Sequence, residues 1–293
     1  MHEEISIFWS TQEQLASEKG AWFLSDLRVM SFNVRGAYFD DRENAWKRRA
    51  TFNVETIQRS APDLIGFQEL QLAHLETYQH HLPGYEYWLG LRASSKVPPH
   101  EYVAIFWKAE KLILQEAGGF WLSKTPHIFA TGWDAACVRV ANWARLRMVE
   151  NGRELLFLNT HLDHVGEEAR LAGSQLIIQQ LNAMQTYYNL PVIVNGDFNC
   201  APGSPPYQLF REQGFVDTFA ITNVNQMSYT FHDFGRLEFT GENYRGETQR
   251  IDWILLRDPS GSISTQSCAI VRNAQPPLYP SDHYPVVTTF TMR

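Results

Sequence analysis

Hydrophobic and polar residues alternate from Leu27 to Asn33, which predicts a strand with one face turned to a core. Between Glu43 and Arg59 the period changes, with Trp46, Ala50, Val54 and Ile57 recurring at helical spacing. Pro62-Asp63 ends that helix, and residues 63–68 read as a buried strand running into Glu69. A second helix is expected from about Gln71 to His81. The stretch 85–149 is strand-like in four pieces: Tyr85 to Leu91, Tyr102 to Trp107, Leu112 to Leu122 and Arg139 to Val149. Asn151-Gly152, a two-residue hairpin signal, leads into an apolar strand from Glu154 to Thr160. A long amphipathic helix follows over Gly166 to Tyr188. Next comes the apolar run Val192 to Val194, expected to break at Gly196. A helix near Pro206–Gln213, a less regular region from Asp217 to Gly246, and strands at Arg250–Leu256 and Val286–Thr291 complete the chain.

Residues 1–27 read as an extension, partly helical, with Ser10-Thr11-Gln12-Glu13 in the form of a capping box. No repeat, low-complexity tract or Pro/Gly-rich linker divides the remainder, so 28–293 is expected to be one domain. Its halves are broadly similar, each placing a helix between strands. That order predicts an α/β fold in which two sheets pack face to face with helices outside.

Composition narrows the function. No apolar run in the 293 residues is long enough to span a bilayer. The start, Met1-His2-Glu3-Glu4, lacks the basic-then-apolar order of a secretory signal, so a cytoplasmic location is expected. Cys137, Cys200 and Cys268 show neither a disulfide framework nor zinc spacing and are expected to be buried free thiols. A formal charge of −7 opposes long-range steering toward a polyanion and fits a small phosphorylated substrate better.

The chemistry lies where the strands stop. Asn33, Glu69, His161, Asp197 with Asn199, and the pair Asp282-His283 all follow apolar runs, and Asp197 and Asn199, two apart, are expected to leave their strand end on the same side. Asp252 sits inside Arg-Ile-Asp-Trp-Ile-Leu-Leu, sharing a face with Ile254 and Leu256 while Ile251, Trp253 and Leu255 fill the other. A carboxylate there needs a cation or a donor, because an unpaired buried charge costs several kcal/mol. Singly, each residue has an ordinary explanation as a turn former, a helix cap or a hydrogen-bonded core group. Together, carboxylates, amides and imidazoles at separate strand ends point to a site. Glu69, Asp282 and the Asn33 amide oxygen are hard donors suited to a magnesium-like ion. His161, His283 and Asn199 can donate to an anion, Asp197 can orient or deprotonate water, and Asp252 can hold the His283 ring. This set suits in-line attack of water on phosphorus. Pro280 and Pro285 make a bent segment that would let Asp282 and His283 reach one pocket.

Ser31-Phe32-Asn33, Gln68-Glu69, Asn159-Thr160-His161, Gly196-Asp197-Phe198-Asn199, Ile251-Asp252 and Ser281-Asp282-His283 together resemble the ordered motifs of the endonuclease/exonuclease/phosphatase superfamily, the DNase I-like group. The resemblance implies a four-layered α/β/β/α sandwich with its site at one edge of the paired sheets. It implies Mg²⁺ or Mn²⁺ held mainly by Glu69 and Asp282 with Asn33 near. His161 and Asn199 would bind phosphate, Asp197 would act on the attacking water, and Asp252 with His283 would form an acid/base or electrostatic dyad. The number of metals and the identity of the base stay open. Gly119-Phe120-Trp121-Leu122-Ser123, Gly132-Trp133-Asp134-Ala135-Ala136 and His161-Leu162-Asp163-His164 resemble a little-characterised microbial branch of metal-dependent hydrolases.

The expected activity is therefore hydrolysis of a phosphodiester or phosphomonoester of modest size. A nuclease acting on DNA or RNA is the alternative within the same chemistry, and a scaffold that has lost catalysis is the third. Asp163 is expected to support the site from behind. Arg42, Lys47, Arg48 and Arg49 are expected to form a solvated helix face. Glu101, Arg139 and the indoles of Trp121, Trp133 and Trp143 are candidates for shaping a specificity pocket, with core packing the expectation for the indoles.

Overall fold

The computed structural model describes residues 25–94, 97–224, 226, 228–237 and 250–293. The N-terminal helix and capping box expected within 1–24 lie outside these, as does part of the irregular region before Arg250. The first strand, β1, is Ser25–Asn33, so residues 25–27 belong to the sheet rather than to an extension. Then follow α1 (Trp46–Ser60), β2 (Leu64–Gln68), α2 (Leu72–His81), β3 (Tyr85–Trp88), β4 (Arg92–Ala93), β5 (Glu101–Tyr102), β6 (Ile105–Lys108) and β7 (Leu112–Trp121). The second half holds β8 (Val140–Met148), β9 (Glu154–His161), α3 (Glu167–Tyr188), β10 (Val192–Asp197), α4 (Pro205–Glu212), β11 (Val216–Asp217), α5 (Thr218–Thr222), β12 (Asp252–Arg257), β13 (Ile263–Ile270) and β14 (Val286–Met292). Among the described residues no helix is long and apolar enough to cross a membrane.

The strands form two six-stranded sheets, β13-β14-β1-β2-β6-β3 and β11-β12-β10-β9-β8-β7, and a two-stranded ribbon of β4 and β5. Each large sheet has one parallel pair at its centre, β1 with β2 and β9 with β10, joined by a helix. Three apolar cores separate four layers. Met30, Phe32, Ile65 and Phe67 pack against Trp46, Val54 and Ile57 of α1. Leu156, Leu158, Val192 and Val194 pack against Ile177, Ile178 and Leu181 of α3. Between the sheets, Leu27, Val29, Leu64, Leu155, Phe157, Ile193, Ile254 and Leu256 share a third cluster. The result is the α/β/β/α sandwich expected from the motifs.

Most strands lie where periodicity places them, with instructive exceptions. The strand read as Tyr102–Trp107 is two strands in different sheets, interrupted at Val103-Ala104. β10 does not break at Gly196 but pairs on both sides through Asp197. β13 and α5 fall where no regular element was expected. Three members of the basic run, Arg42, Lys47 and Arg48, are exposed, but Arg49 is fully buried. Its guanidinium donates to the carbonyls of Asn44 (2.8 Å), Val34 (2.8 Å), Pro280 (3.0 Å) and Arg35 (2.6 Å). Such a charge is held by hydrogen bonds from all three guanidinium nitrogens. Asn53 Nδ2 donates to the same Pro280 carbonyl at 3.0 Å, and Asn44 Oδ1 accepts from Tyr279 N at 2.8 Å. The segment entering β14 is thereby fastened to the segment leaving β1.

The inter-sheet face changes character along its length. Apolar side chains give way to an amide layer, then to ionisable groups. In that layer Gln68 Nε2 donates to Asn159 Oδ1 at 2.7 Å, while Asn159 Nδ2 donates to the carbonyls of Phe67 and Ala104, each at 2.9 Å. Gly66 faces Asn195 so closely that a Cβ there would lie 2.2 Å from Asn195 Nδ2. Gly66→Ala therefore overpacks the sandwich and is expected to lower stability by about 1–3 kcal/mol. Because Asn195 makes no side-chain hydrogen bond among the described residues, adding Asn195→Ala should recover much of the loss in urea melts. A double variant no more stable than Gly66→Ala would refute this packing account.

Candidate active site

The register of the second sheet assembles half the site. Asp197 is paired with His161 across the parallel β9–β10 ladder and with Asp252 across the antiparallel β10–β12 ladder. Paired residues on neighbouring strands point to the same face, so the three stand in a row at the sheet edge. The first sheet contributes Asn33 beside Gln68 at the ends of β1 and β2. Glu69 follows with φ 57, a left-handed conformation uncommon outside glycine that turns the chain at the strand end. Asp282 and His283 come from the bent segment before β14. All the expected residues except Asn33 and Asp252 line one cavity of 1040 Å³, and those two bond residues that do.

Asp197 is the hub. Its Oδ2 accepts from Asn33 Nδ2 at 2.9 Å, and lies 3.4 Å from His161 Nε2 and 3.7 Å from His283 Nε2. Its Oδ1 accepts from the Asn199 backbone N–H at 2.9 Å. Burial, followed by the neighbouring Asp252 charge, pushes the Asp197 carboxyl up to about 7. His283 Nδ1 sits 2.9 Å from Asp252 Oδ2. Burial opposes the charged imidazole, but Asp252 and Asp197 outweigh it and push His283 up to about 10. His161 differs: burial, with Arg139 and His283 nearby, holds it far below its ordinary value, so it is neutral.

Glu69 and Asp282 face each other across the other half. Glu69 accepts from Asn33 Nδ2 at 3.0 Å and from the Gly36 N–H at 2.9 Å. Burial works against its charge, yet the Asn33 bond and the Arg35 cation bring it below the usual carboxylate range. Burial and repulsion from Glu69 raise Asp282 despite His283 beside it, and Arg35 Nε lies 3.7 Å away. Two mutually repelling hard-oxygen donors in one cavity fit a divalent cation. The trio Asp197, Asp252 and His283 also brings ligand atoms within 4.8 Å of one another. Within it, His283 Nδ1 is already paired with Asp252 Oδ2 at 2.9 Å, which leaves only its Nε2 free to face an ion. That trio reads better as a hydrogen-bonded relay.

Two expectations change. Asn33 turns its nitrogen, not its oxygen, toward the carboxylates, while Oδ1 accepts from Arg35 N at 3.0 Å. In this orientation Nδ2 bridges Glu69 and Asp197. Asn199 does not share a strand face with Asp197, since the strand ends at Asp197 and Asn199 has φ 49. It reaches the cavity through that turn, with Nδ2 donating to Leu162 O at 3.0 Å. Cys137 and Cys200 are half-buried and line the cavity, and only Cys268 is buried. Arg35 was absent from the expected site set. Its signal was a lone guanidinium two residues beyond the end of β1.

Comparison with known proteins identifies the family. The model of the Endonuclease/Exonuclease/phosphatase family matches residues 30–283. Nocturnin of Drosophila melanogaster is 30% identical over 311 residues, covering 91% of this chain and 47% of that protein. A probable RNA exonuclease, NGL3, of Saccharomyces cerevisiae is 25% identical over 213 residues, covering 65% of this chain and 41% of that one. The chain thus spans less than half the length of these two curated relatives. Among solved structures, a mannosyl-6-phosphatase of Bacteroides thetaiotaomicron superposes with TM-score 0.77 at 30% identity, over 90% of this chain and 99% of its own. An endonuclease/exonuclease/phosphatase family protein from the same organism gives TM-score 0.79 at 29% identity, over 92% and 96%. With the family model spanning both sheets and every motif at their common edge, the chain belongs to the endonuclease/exonuclease/phosphatase family.

Proposed function

We propose that the chain is a divalent-metal-dependent hydrolase of phosphate esters, acting on a phosphorylated molecule of modest size by in-line attack of water. The observation that carries this reading is the convergence on Asp197 Oδ2 of the Asn33 Nδ2 donor and of the His161 and His283 Nε2 atoms at 3.4 and 3.7 Å, in the cavity that Glu69 and Asp282 also line. Glu69 and Asp282 would hold Mg²⁺ or Mn²⁺, with Asn33 fixing Glu69. Held there, such an ion would supply charge neutralisation for the phosphoryl oxygens.

Asp197, with a carboxyl near 7, is suited to take the proton of the attacking water at neutral pH. His283, protonated at neutral pH and fixed through Nδ1 by Asp252, presents a positive donor to the phosphoryl group and can pass a proton to the departing alkoxide as the P–O bond breaks. Neutral His161 and the Asn199 amide add donors to the remaining oxygens. Nuclease activity is the second reading, favoured by the relative named as a probable RNA exonuclease. The charge of −7 counts against it, since polynucleotide binding relies on basic contacts to many phosphates.

Dialysis against EDTA should abolish hydrolysis of bis-p-nitrophenyl phosphate, and Mg²⁺ or Mn²⁺ should restore it. The same ions should raise the melting temperature of the native chain but not that of a Glu69→Gln/Asp282→Asn variant. Activity persisting in EDTA would falsify the metal reading.

In the native enzyme, kcat/KM should rise as pH passes about 7, where Asp197 loses its proton, and fall toward 10, where His283 loses its own. Asp252→Asn removes the charge that helps hold the His283 proton. It should shift the alkaline limb to lower pH and slow turnover by about 10²–10⁴-fold. An alkaline limb that stays in place in that variant rules out the Asp252–His283 pairing as its origin.

A further inference from the structure

The cavity extends past the groups that would hold a phosphate, to a second wall made by the loop after β9, the start of α3 and the β4–β5 ribbon. Arg139 is its fixed point. The residue is 5% exposed, with Nε 3.4 Å from Asp163 Oδ2 and Nη2 2.9 Å from His164 Nδ1. Asp163 cannot swing away, because Oδ1 accepts from the N–H groups of Ala136 (3.1 Å), Val165 (3.0 Å) and Gly166 (2.8 Å). Arg139 is therefore held from behind, and its Nη1 has no hydrogen-bond partner among the described residues. Glu101 stands on the same wall, its carboxylate accepting from the Ser94 hydroxyl. It feels the Arg139 charge, but the two make no ion pair within 4.0 Å.

One oriented donor edge and one acceptor thus share a wall without satisfying each other. Arg170 and Glu167 also line it, so formal charges balance. A second phosphate would meet two carboxylates there. A nucleobase would need a flat apolar face, and the two lining aromatic rings are already engaged by other site groups, with no ring stacked on the Arg139 guanidinium among the described residues. Phe39 is under the Arg35 guanidinium at 4.1 Å, and Phe231 is against the His283 ring at 5.0 Å. What a neutral wall of fixed donors and acceptors does match is a set of neighbouring hydroxyls, each of which donates and accepts.

We propose that Glu101 and Arg139 form the leaving-group subsite and select an uncharged, polyhydroxylated leaving group the size of one sugar ring. The inference rests on the hydrolase reading and goes further, naming what is released and which side chains recognise it. Neither residue touches the reacting phosphorus. Each acts on how tightly the alcohol half of the ester is held, and so chiefly on KM.

The test compares kcat/KM of the full chain with Mg²⁺ for a hexose phosphate, a nucleoside monophosphate and phenyl phosphate. The hexose phosphate should be preferred over phenyl phosphate by at least about tenfold, the size of one hydrogen bond to a charged group. Glu101→Gln and Arg139→Lys should each lower that preference by about tenfold through KM, and Glu101→Asp should recover part of it. A preference for the nucleotide, no preference at all, or variants that slow every substrate equally would each overturn the subsite. Binding of the free hexose, read by saturation-transfer NMR, separates the two claims. Phenyl phosphate hydrolysed without hexose binding removes the subsite alone. Hexose binding that is lost in Glu101→Gln, with no ester hydrolysed, removes the hydrolase reading and keeps the subsite.

Discussion

Buried negative charge is the constraint the rest of the structure answers to. Glu69, Asp197, Asp252 and Asp282 crowd one edge of the sandwich, and burial penalises each. What keeps them there is a set of donors, local ones from Gly36 and the Asn199 backbone and remote ones from Asn33 and His283. The Asn33–Asp197 and His283–Asp252 pairs cross from one sheet to the other, so the site is not complete before both sheets have found each other. Site assembly and tertiary folding are one event at this edge.

The two sheets meet the demand differently. In the second, strand register alone sets His161, Asp197 and Asp252 side by side. In the first, three of the needed groups, Glu69, Asp282 and His283, lie beyond the strands, so they depend on loop geometry. Glu69 is aimed by a left-handed turn, and the segment carrying Asp282 and His283 is anchored through Pro280 to Arg49 and Asn53. A pairing ladder fixes position to a fraction of an ångström by repeated hydrogen bonds. A loop needs a separate anchor to do the same.

This difference also explains what could be read in advance. The strand-end residues were legible because an apolar run that stops in Asn, Glu, His or Asp breaks its own pattern. The amphipathic period of α1 and α3 was equally plain. Arg49 was not legible: its neighbours Lys47 and Arg48 are exposed, and nothing local separates a buried guanidinium from a solvated one. The rotation of the Asn33 amide was hidden for a similar reason, since it is decided by Glu69 and Asp197, residues 36 and 164 positions away. β13, Ile-Ser-Thr-Gln-Ser-Cys-Ala-Ile, is an edge strand with few apolar residues, held chiefly by its ladder to β14. The wall around Arg139 rests on Asp163 and on backbone groups that sequence does not display.

Arg49 has one more implication. Every bond its guanidinium makes ends on a main-chain oxygen, an atom that all twenty residue types possess. The clamp is thus blind to the side chains at Val34, Arg35, Asn44 and Pro280 and responds only to the path of the chain. Of these positions only Arg35 lines the cavity, so a substitution there can retune what the site presents to a new compound while the Arg49 anchor on its carbonyl stays in place.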